Sequence, residues 1–284
     1  MGQEVSGAHY GPKPWVQQHW DIRAATNFML GGTGSGFIVA WALAGLSAPV
    51  NLLWLVGGLA LIGAGLGAVW LEIGRKLRAV HVFFNPWTSW MTRESFAALV
   101  LFAFGGATLV WPALAPATAL AALVFVWCQG RILHASKGIP AWRQAEIVAL
   151  TLATALAEGA GLFLIVAGSF ETGSPRSLLA LFVIALVARA LAWARYRAAL
   201  ARNAPKPVAA VLEAPGKAML QIGAVAPLVL LFAGMLLPAA APACAILAGI
   251  VALLPGWRFK FVLVTRAALN QGFALPKLPV RGTR

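Results

Sequence analysis

Residues 52–71 read LLWLVGGLALIGAGLGAVWL, twenty consecutive residues without a charged side chain. A helix that crosses a membrane needs about 20 mostly apolar residues, because the hydrocarbon core is about 30 Å thick. This stretch therefore predicts a transmembrane helix. Its glycines, and those of a second string at residues 31–36 (GGTGSG), allow close helix packing. The second string lacks the Lys-Ser/Thr pair of a phosphate-binding loop, so we interpret it as a packing surface.

The composition of the whole chain agrees with a membrane environment. The protein has 284 residues, of which 61% are hydrophobic and 11% are charged. Soluble domains usually carry about 25% charged residues. Eight apolar runs are long enough to span a bilayer: 24–46, 52–71, 95–113, 117–135, 146–168, 177–199, 218–237 and 242–264.

We predict an all-α, polytopic membrane helix bundle with about eight transmembrane helices. It forms a single integral membrane domain over residues 1–284. Residues 1–23 are a polar N-terminal segment, 24–264 the eight-helix bundle and 265–284 a C-terminal tail. The proline-containing connections 111–116 and 238–242 are predicted to be tight hairpins between neighbouring helices.

The net charge of +14 is distributed unevenly along the chain. With eight spans, 21 of the 22 basic residues lie in segments on one side of the membrane, and only Arg176 lies on the other. By the positive-inside rule, both termini are predicted to be cytoplasmic, in the inner (cytoplasmic) membrane of the cell. The basic segments are predicted to contact membrane lipids and partner subunits, not nucleic acid.

The densest polar stretch is the connection between the second and third runs, residues 72–94. It contains Glu72, Arg78, His81 and Glu94, and Thr92 is the predicted N-cap of the third helix. Quinol oxidation requires hydrogen-bond partners at the headgroup and a titratable group for the protons. The stretch could provide both, or it could be an interfacial basic loop with an aromatic belt.

One carboxylate lies deep within an apolar run, at Glu158. A charged side chain inside a membrane is costly and often functional. Glu158 is predicted either to relay protons or to be held neutral in a hydrogen bond between helices. Arg189, near the end of the sixth run, is predicted to extend to the membrane surface.

The residue types also exclude several redox cofactors from this chain. None of the four histidines lies in the middle of an apolar run, so no haem and no metal site is predicted. An iron–sulfur cluster usually needs about four thiolates, and the chain has only Cys128 and Cys244.

Three segments resemble the NrfD/DmsC-like membrane anchors of DMSO reductase and polysulfide reductase. They are residues 74–79 (GRKLRA), 85–94 (NPWTSWMTRE) and 131–142 (RILHASKGIPAW). The resemblance implies an anchor that binds quinone or quinol but holds no iron–sulfur cluster or molybdenum of its own. Its expected partners are a four-cluster iron–sulfur electron-transfer subunit and a molybdopterin catalytic subunit.

Carried over by position, the resemblance places Glu72, Gly74, Arg78 and Glu94 on the family's quinone-site stretch, beside His81. Glu72 stands where the family often has histidine, and Lys76 where it often has proline. A cytoplasmic position of this loop predicts soluble partners on the cytoplasmic face. The segment 270–276 (NQGFALP) also resembles anchors of the phenylacetyl-CoA:acceptor oxidoreductase type.

Two other functions remain open from the sequence. Glu158 and the small-residue helices would also suit a secondary transporter or channel. A structural assembly factor without chemistry is the third possibility.

Overall fold

The computed structural model describes residues 15–47, 49–74, 76–169 and 176–270. Within these ranges the chain forms eight long helices and no β-sheet, which confirms the all-α prediction. They are α1 (Ile22–Gly45), α2 (Leu52–Glu72), α3 (Trp90–Thr108), α4 (Ala115–Ala135), α5 (Glu146–Ser169), α6 (Arg176–Asn203), α7 (Lys206–Leu236) and α8 (Ala241–Thr265).

Seven of the eight helices are long and apolar enough to cross a membrane, which supports a multi-pass membrane protein. The exception is α3, whose first turns carry Thr92, Arg93 and Glu94 and so have low hydropathy. The predicted hairpins are confirmed as short 3₁₀ turns, Pro112–Leu114 and Pro238–Ala240. A further 3₁₀ helix, Lys76–Phe84, lies in the connection between α2 and α3.

Two helices begin earlier than the sequence predicted. The third run was expected to begin at residue 95 with Thr92 as its N-cap, but α3 begins at Trp90 and its N-cap is Ser89. The Ser89 side chain accepts a hydrogen bond from the Thr92 backbone N–H. Glu94 is therefore a helical residue, one turn inside α3.

The other early helix is α7, which begins at Lys206 and not near residue 218. Pro207 occupies its first turn, where the missing N–H costs nothing. Pro215 lies inside the helix, and a π-helical segment, Gln221–Val225, follows. A second π-helical segment, Asn27–Gly31, interrupts α1. Such π segments are rare and often occur at functional sites.

The centre of the bundle is the contact between α1 and α5, where two backbones touch. A Cβ atom added to Gly36 would lie 2.0 Å from the Ala155 carbonyl oxygen. One added to Gly159 would lie 2.1 Å from the Gly36 carbonyl carbon. Small residues at both positions thus permit the close approach that the glycine string predicted. By contrast, a Cβ atom added to Gly57 or Gly67 on α2 would have no atom within 4 Å apart from the backbone of its own helix.

Hydrogen bonds between segments define two ends of the bundle. At the end that we call the terminal end, the Gln17 N–H donates to the Ala268 carbonyl over 2.9 Å. There Trp142 also donates to the Leu263 carbonyl, over 2.9 Å. At the opposite end, called the far end, the Ser47 and Ser177 hydroxyls are 3.3 Å apart. The predicted basic loops lie at the terminal end, whereas Arg176 begins α6 at the far end.

Candidate functional site

A pocket of about 210 Å³ opens at the terminal end of the bundle, between α1, α2, α3 and α4. Its wall is mostly apolar, with three polar side chains among the lining residues. The lining consists of Trp20, Ala24, Asn27, Phe28, Val69, Glu72, Ile73, Met91, Glu94 and Ile132. Two predicted site residues, Glu72 and Glu94, therefore lie in one cavity although 22 positions separate them. A mostly apolar cavity with a few converging polar groups is the usual form of a small-molecule site.

Glu94 is the inner acid of the pocket. Because α3 begins at Trp90, the helix turns the Glu94 side chain inward, and only 6% of the residue is exposed. The Asn27 side-chain amide donates a hydrogen bond of 3.1 Å to Glu94 Oε1. Asn27 begins the π-helical segment of α1, so the irregular turn of α1 supplies the partner. A buried carboxylate held by the Asn27 amide can exchange a proton with a ligand in the cavity.

Glu72 is the outer acid, at the last residue of α2. It is partly exposed, and His19, Asp21 and Arg23 lie close enough for their charges to act on it. Asp21 caps α1, and hydrogen bonds from Arg23 lower the pKa of Asp21 below its ordinary value. The pocket thus contains one carboxylate shielded from water and one at the mouth beside charged groups.

The other predicted quinone-site residues do not line this pocket. Gly74 lies on the exposed turn after α2, and Arg78 and His81 lie exposed on the 3₁₀ helix Lys76–Phe84. The nearest polar partner of His81 Nδ1 is the Arg78 carbonyl oxygen, at 3.1 Å. These three residues lie on the surface of the terminal end and do not contact the cavity.

The connection between α2 and α3 is held against the start of α3. The Arg93 guanidinium donates to the Pro86 carbonyl over 2.8 Å and to the Trp87 carbonyl over 2.6 Å. Its carbon Cζ lies 4.2 Å from the ring centroid of Trp90. The Thr92 hydroxyl donates to the Val82 carbonyl. Arg93 and Thr92 therefore fix the loop and the first turn of α3, which orients Glu94.

Glu158 occupies a separate, fully buried cluster in the middle of the bundle. The Lys260 ammonium nitrogen lies 2.6 Å from Glu158 Oε2, and the Thr33 hydroxyl donates to the same oxygen over 2.9 Å. The Trp257 indole donates to the Thr33 hydroxyl over 2.9 Å. The sequence left two interpretations of Glu158 open, a proton relay and a hydrogen bond between helices. The structure contains a hydrogen bond between helices, and its main donor is the Lys260 ammonium group.

Two basic residues counted as surface charges are instead inside the bundle. Arg189 was predicted to extend to the membrane surface, but it is 1% exposed and donates to the carbonyl oxygens of Ala252 and Gly223. Lys260 is 4% exposed. Successive residues are about 100° apart around a helix, so Lys260 faces nearly opposite to exposed Arg258. That spacing is the signal by which the sequence could have revealed Lys260.

The sequence also gave no sign of Asn27 and Gln129. Both are neutral amides within apolar runs, and both are buried. The Gln129 side-chain amide donates to the Asn27 backbone carbonyl over 3.1 Å. Within the described ranges, no group of three or more His, Cys, Asp and Glu side chains is arranged to hold a metal ion.

No protein-family model matches this chain, and no curated protein matches it.

Proposed function

We propose that this protein is the quinone-binding membrane subunit of a multi-subunit molybdenum/iron–sulfur oxidoreductase. The observation that carries the proposal is that Glu72 and Glu94 line one pocket at the basic, terminal end of the bundle. Conversion between quinol and quinone moves two electrons and two protons. Two carboxylates at different depths in one apolar cavity suit that proton chemistry.

The pocket is large enough for the headgroup ring of a quinone but not for its isoprenoid tail as well. Sites that enclose a drug-sized ligand usually measure about 300–1,000 Å³. The volume here is about 210 Å³, and the cavity is partly open. A quinone headgroup would lie between Trp20, Phe28 and Met91 with an oxygen toward Glu94, and its tail would extend into lipid.

The proposed topology has eight spans, because α3 is counted in addition to the seven helices that are apolar enough to cross a membrane. The terminal end of the bundle is proposed to be cytoplasmic. The exposed basic residues of the loops at this end support it under the positive-inside rule. The iron–sulfur subunit would dock on this face and accept electrons from quinol, with the molybdopterin subunit beyond it. Gly74, Arg78 and His81, which lie outside the pocket, would contact that subunit and not the quinone.

Glu94→Gln is expected to lower quinol oxidation by the complex about 100-fold or more, because the amide keeps the hydrogen bond to Asn27 but cannot take up a proton. The complex would be purified in mild detergent through a tag on this chain, and an iron–sulfur protein and molybdenum should co-purify. Oxidation of a short-tailed quinol would then be followed with a dye as electron acceptor.

The matched controls for Glu94→Gln are two other carboxylates of the terminal end. Glu72→Gln should lower quinol oxidation less than Glu94→Gln does, since water at the pocket mouth can exchange protons in place of the Glu72 carboxylate. Glu213→Gln, outside the pocket and paired with Arg197, should have no effect on turnover. Normal turnover in Glu94→Gln would contradict the assignment of the pocket. Purification of the chain alone and free of metals would contradict the subunit role.

A secondary transporter or channel is the second candidate, and the Glu158–Lys260 pair favours it. Both groups are buried in the bundle beside two helices with π-helical interruptions. Interrupted helices and buried charges are typical of transport sites. Uptake of a solute by liposomes that contain only this chain would favour this candidate over the redox subunit.

A further inference from the structure

A second cavity lies on the outside of the bundle, between α5 and α6. Its volume is about 420 Å³, twice that of the pocket between α1, α2, α3 and α4, and it is partly open. Two of its lining residues are charged, Glu146 and Arg195, and the other seven are alanine or leucine. Ala153 and Ala192 are buried at its base, whereas Ala149 is exposed at its edge. We call this cavity the α5–α6 groove.

Both charged residues lie at the terminal end of the groove. Glu146 is the first residue of α5, and Arg195 lies in the last third of α6. Arg195 follows Arg176, at the far end, by 19 residues, which is about 29 Å at a rise of 1.5 Å per residue. The hydrocarbon core of a bilayer is about 30 Å thick, so Arg195 lies at the level of the lipid headgroups.

The apolar part of the groove has the length of one membrane leaflet. Along α5 the lining residues extend from Glu146 to Leu156, which is about 15 Å at the same rise per residue. Each leaflet contributes about half of the hydrocarbon thickness of about 30 Å. Four of the lining residues are alanines, whose small side chains leave room between the two helices. The groove therefore has the shape that an acyl chain of the terminal-side leaflet would fill.

Glu146 and Arg195 line the same groove but are not paired. Neither forms an ion pair with another residue in the part of the chain that the structure describes. A guanidinium group can bind a phosphate through two parallel hydrogen bonds, and a carboxylate accepts hydrogen bonds from an ammonium group. A lipid headgroup that carries both a phosphate and a primary ammonium group would complement the two side chains.

We propose that the α5–α6 groove binds one phospholipid of the phosphatidylethanolamine type. Its phosphate binds Arg195, its ammonium group binds Glu146, and one acyl chain lies between the helices. The lipid joins the terminal ends of α5 and α6. This site does not depend on the proposed quinone function, because it shares no lining residue with the pocket that contains Glu94.

The charges of the groove also distinguish between lipid headgroups. A phosphatidylglycerol headgroup is anionic and offers no positive charge to Glu146. A phosphatidylcholine headgroup has both charges, but its trimethylammonium group has no N–H to donate. Selectivity of this kind arises when a competing ligand leaves a charged group without its partner.

Native mass spectrometry of the full chain in mild detergent tests the site. The delipidated chain would be titrated with phosphatidylethanolamine, phosphatidylcholine and phosphatidylglycerol that carry identical acyl chains. Phosphatidylethanolamine is expected to bind about 10-fold more tightly than either of the others, because it alone satisfies both charged side chains.

Two charge variants separate the headgroup contacts. Arg195→Gln should weaken the binding of phosphatidylethanolamine about 10-fold, since the phosphate loses its guanidinium partner. Glu146→Gln should remove the preference for phosphatidylethanolamine over phosphatidylcholine. The matched controls are Arg202→Gln, at an exposed position near the end of α6, and Glu213→Gln on α7. Neither residue lines the groove, so neither change should alter lipid binding.

Ala149→Phe tests the part of the groove that would hold the acyl chain. Ala149 is exposed, so a larger side chain can enter the groove without displacing a buried residue. Binding of phosphatidylethanolamine should fall about 10-fold, because the phenyl ring occupies the space of the acyl chain. Ala194→Phe is the control, since Ala194 is exposed on α6 but does not line the groove.

Four results would overturn the proposal. Wild type could bind the three lipids equally, or Glu146→Gln could keep the wild-type preference. Binding of phosphatidylethanolamine could be unchanged in either Arg195→Gln or Ala149→Phe. Displacement of the phospholipid from wild type by a long-tailed quinone would assign the groove to the quinone tail instead. The predicted preference, with losses in these variants and none in the controls, would establish the lipid site.

Discussion

Glu158→Leu is expected to lower the free energy of unfolding by about 3–5 kcal/mol, because it leaves the Lys260 ammonium buried without its counter-charge. Lys260 and Glu158 are 4% and 0% exposed, so water cannot replace the lost partner. Unfolding of the purified chain by a denaturing detergent, titrated into a mild one, would measure the change. An exposed pair, Arg197–Glu213, provides the control, and Glu213→Ala should cost about 1 kcal/mol or less.

The double variant Glu158→Leu with Lys260→Met should recover most of that loss. Replacing a buried ion pair by apolar residues of similar volume is often neutral, because two desolvated charges disappear together. The coupling energy of this double-mutant cycle isolates the pair. A single Glu158→Leu variant as stable as wild type would contradict this prediction. It would show that the buried Lys260 ammonium group does not need Glu158 as its counter-charge.

Gly159→Ala is expected to destabilise the bundle by about 3 kcal/mol or more, because overpacking against a rigid backbone cannot be relieved by a side-chain rotation. The added methyl group would lie 2.1 Å from the Gly36 carbonyl carbon and from the Phe37 nitrogen. Helices α1 and α5 would have to separate, and α1 carries Asn27 while α5 carries Glu158. Thermal unfolding in mild detergent would measure the loss.

The control for Gly159→Ala is Gly57→Ala on α2, where no other atom lies within 4 Å of the new methyl group. Alanine is favoured over glycine in a helix by about 1 kcal/mol, so this variant should be as stable as wild type or slightly more so. Equal effects of the two substitutions would mean that the α1–α5 contact does not hold the bundle together.

Much of the architecture was predictable because a helix that crosses a membrane needs about 20 mostly apolar residues. Long apolar runs and proline-containing turns predicted the all-helical architecture and the hairpins at 111–116 and 238–242. Helix starts were harder to predict. Polar residues at the start of α3 and prolines at 207 and 215 in α7 are typical of loops, yet both segments are helical. A proline in the first turn and a serine N-cap are compatible with a helix, and the apolar pattern alone cannot detect them.

The site was predictable only in part. Glu72 and Glu94 could be singled out because they flank a polar loop, but their meeting in one cavity depends on Asn27 and Phe28 from α1. Counting charges by segment placed Arg189 and Lys260 at the surface, because such a count ignores the face of the helix on which a residue lies. Glu158 could be singled out within its apolar run, but its pairing with Lys260 became apparent only from the packing of α5 against α8.

We propose that the pocket between α1, α2, α3 and α4 binds a quinone headgroup. Photo-crosslinking tests it most directly, with a short-tailed quinone that carries a light-activated group, added to the full chain in its native membrane. Mass spectrometry of the labelled peptides is expected to place the label at Trp20–Phe28, Val69–Ile73 or Met91–Glu94, and excess natural quinone should compete it away. Label confined to other helices, or label in these segments that excess quinone does not reduce, would contradict the claim.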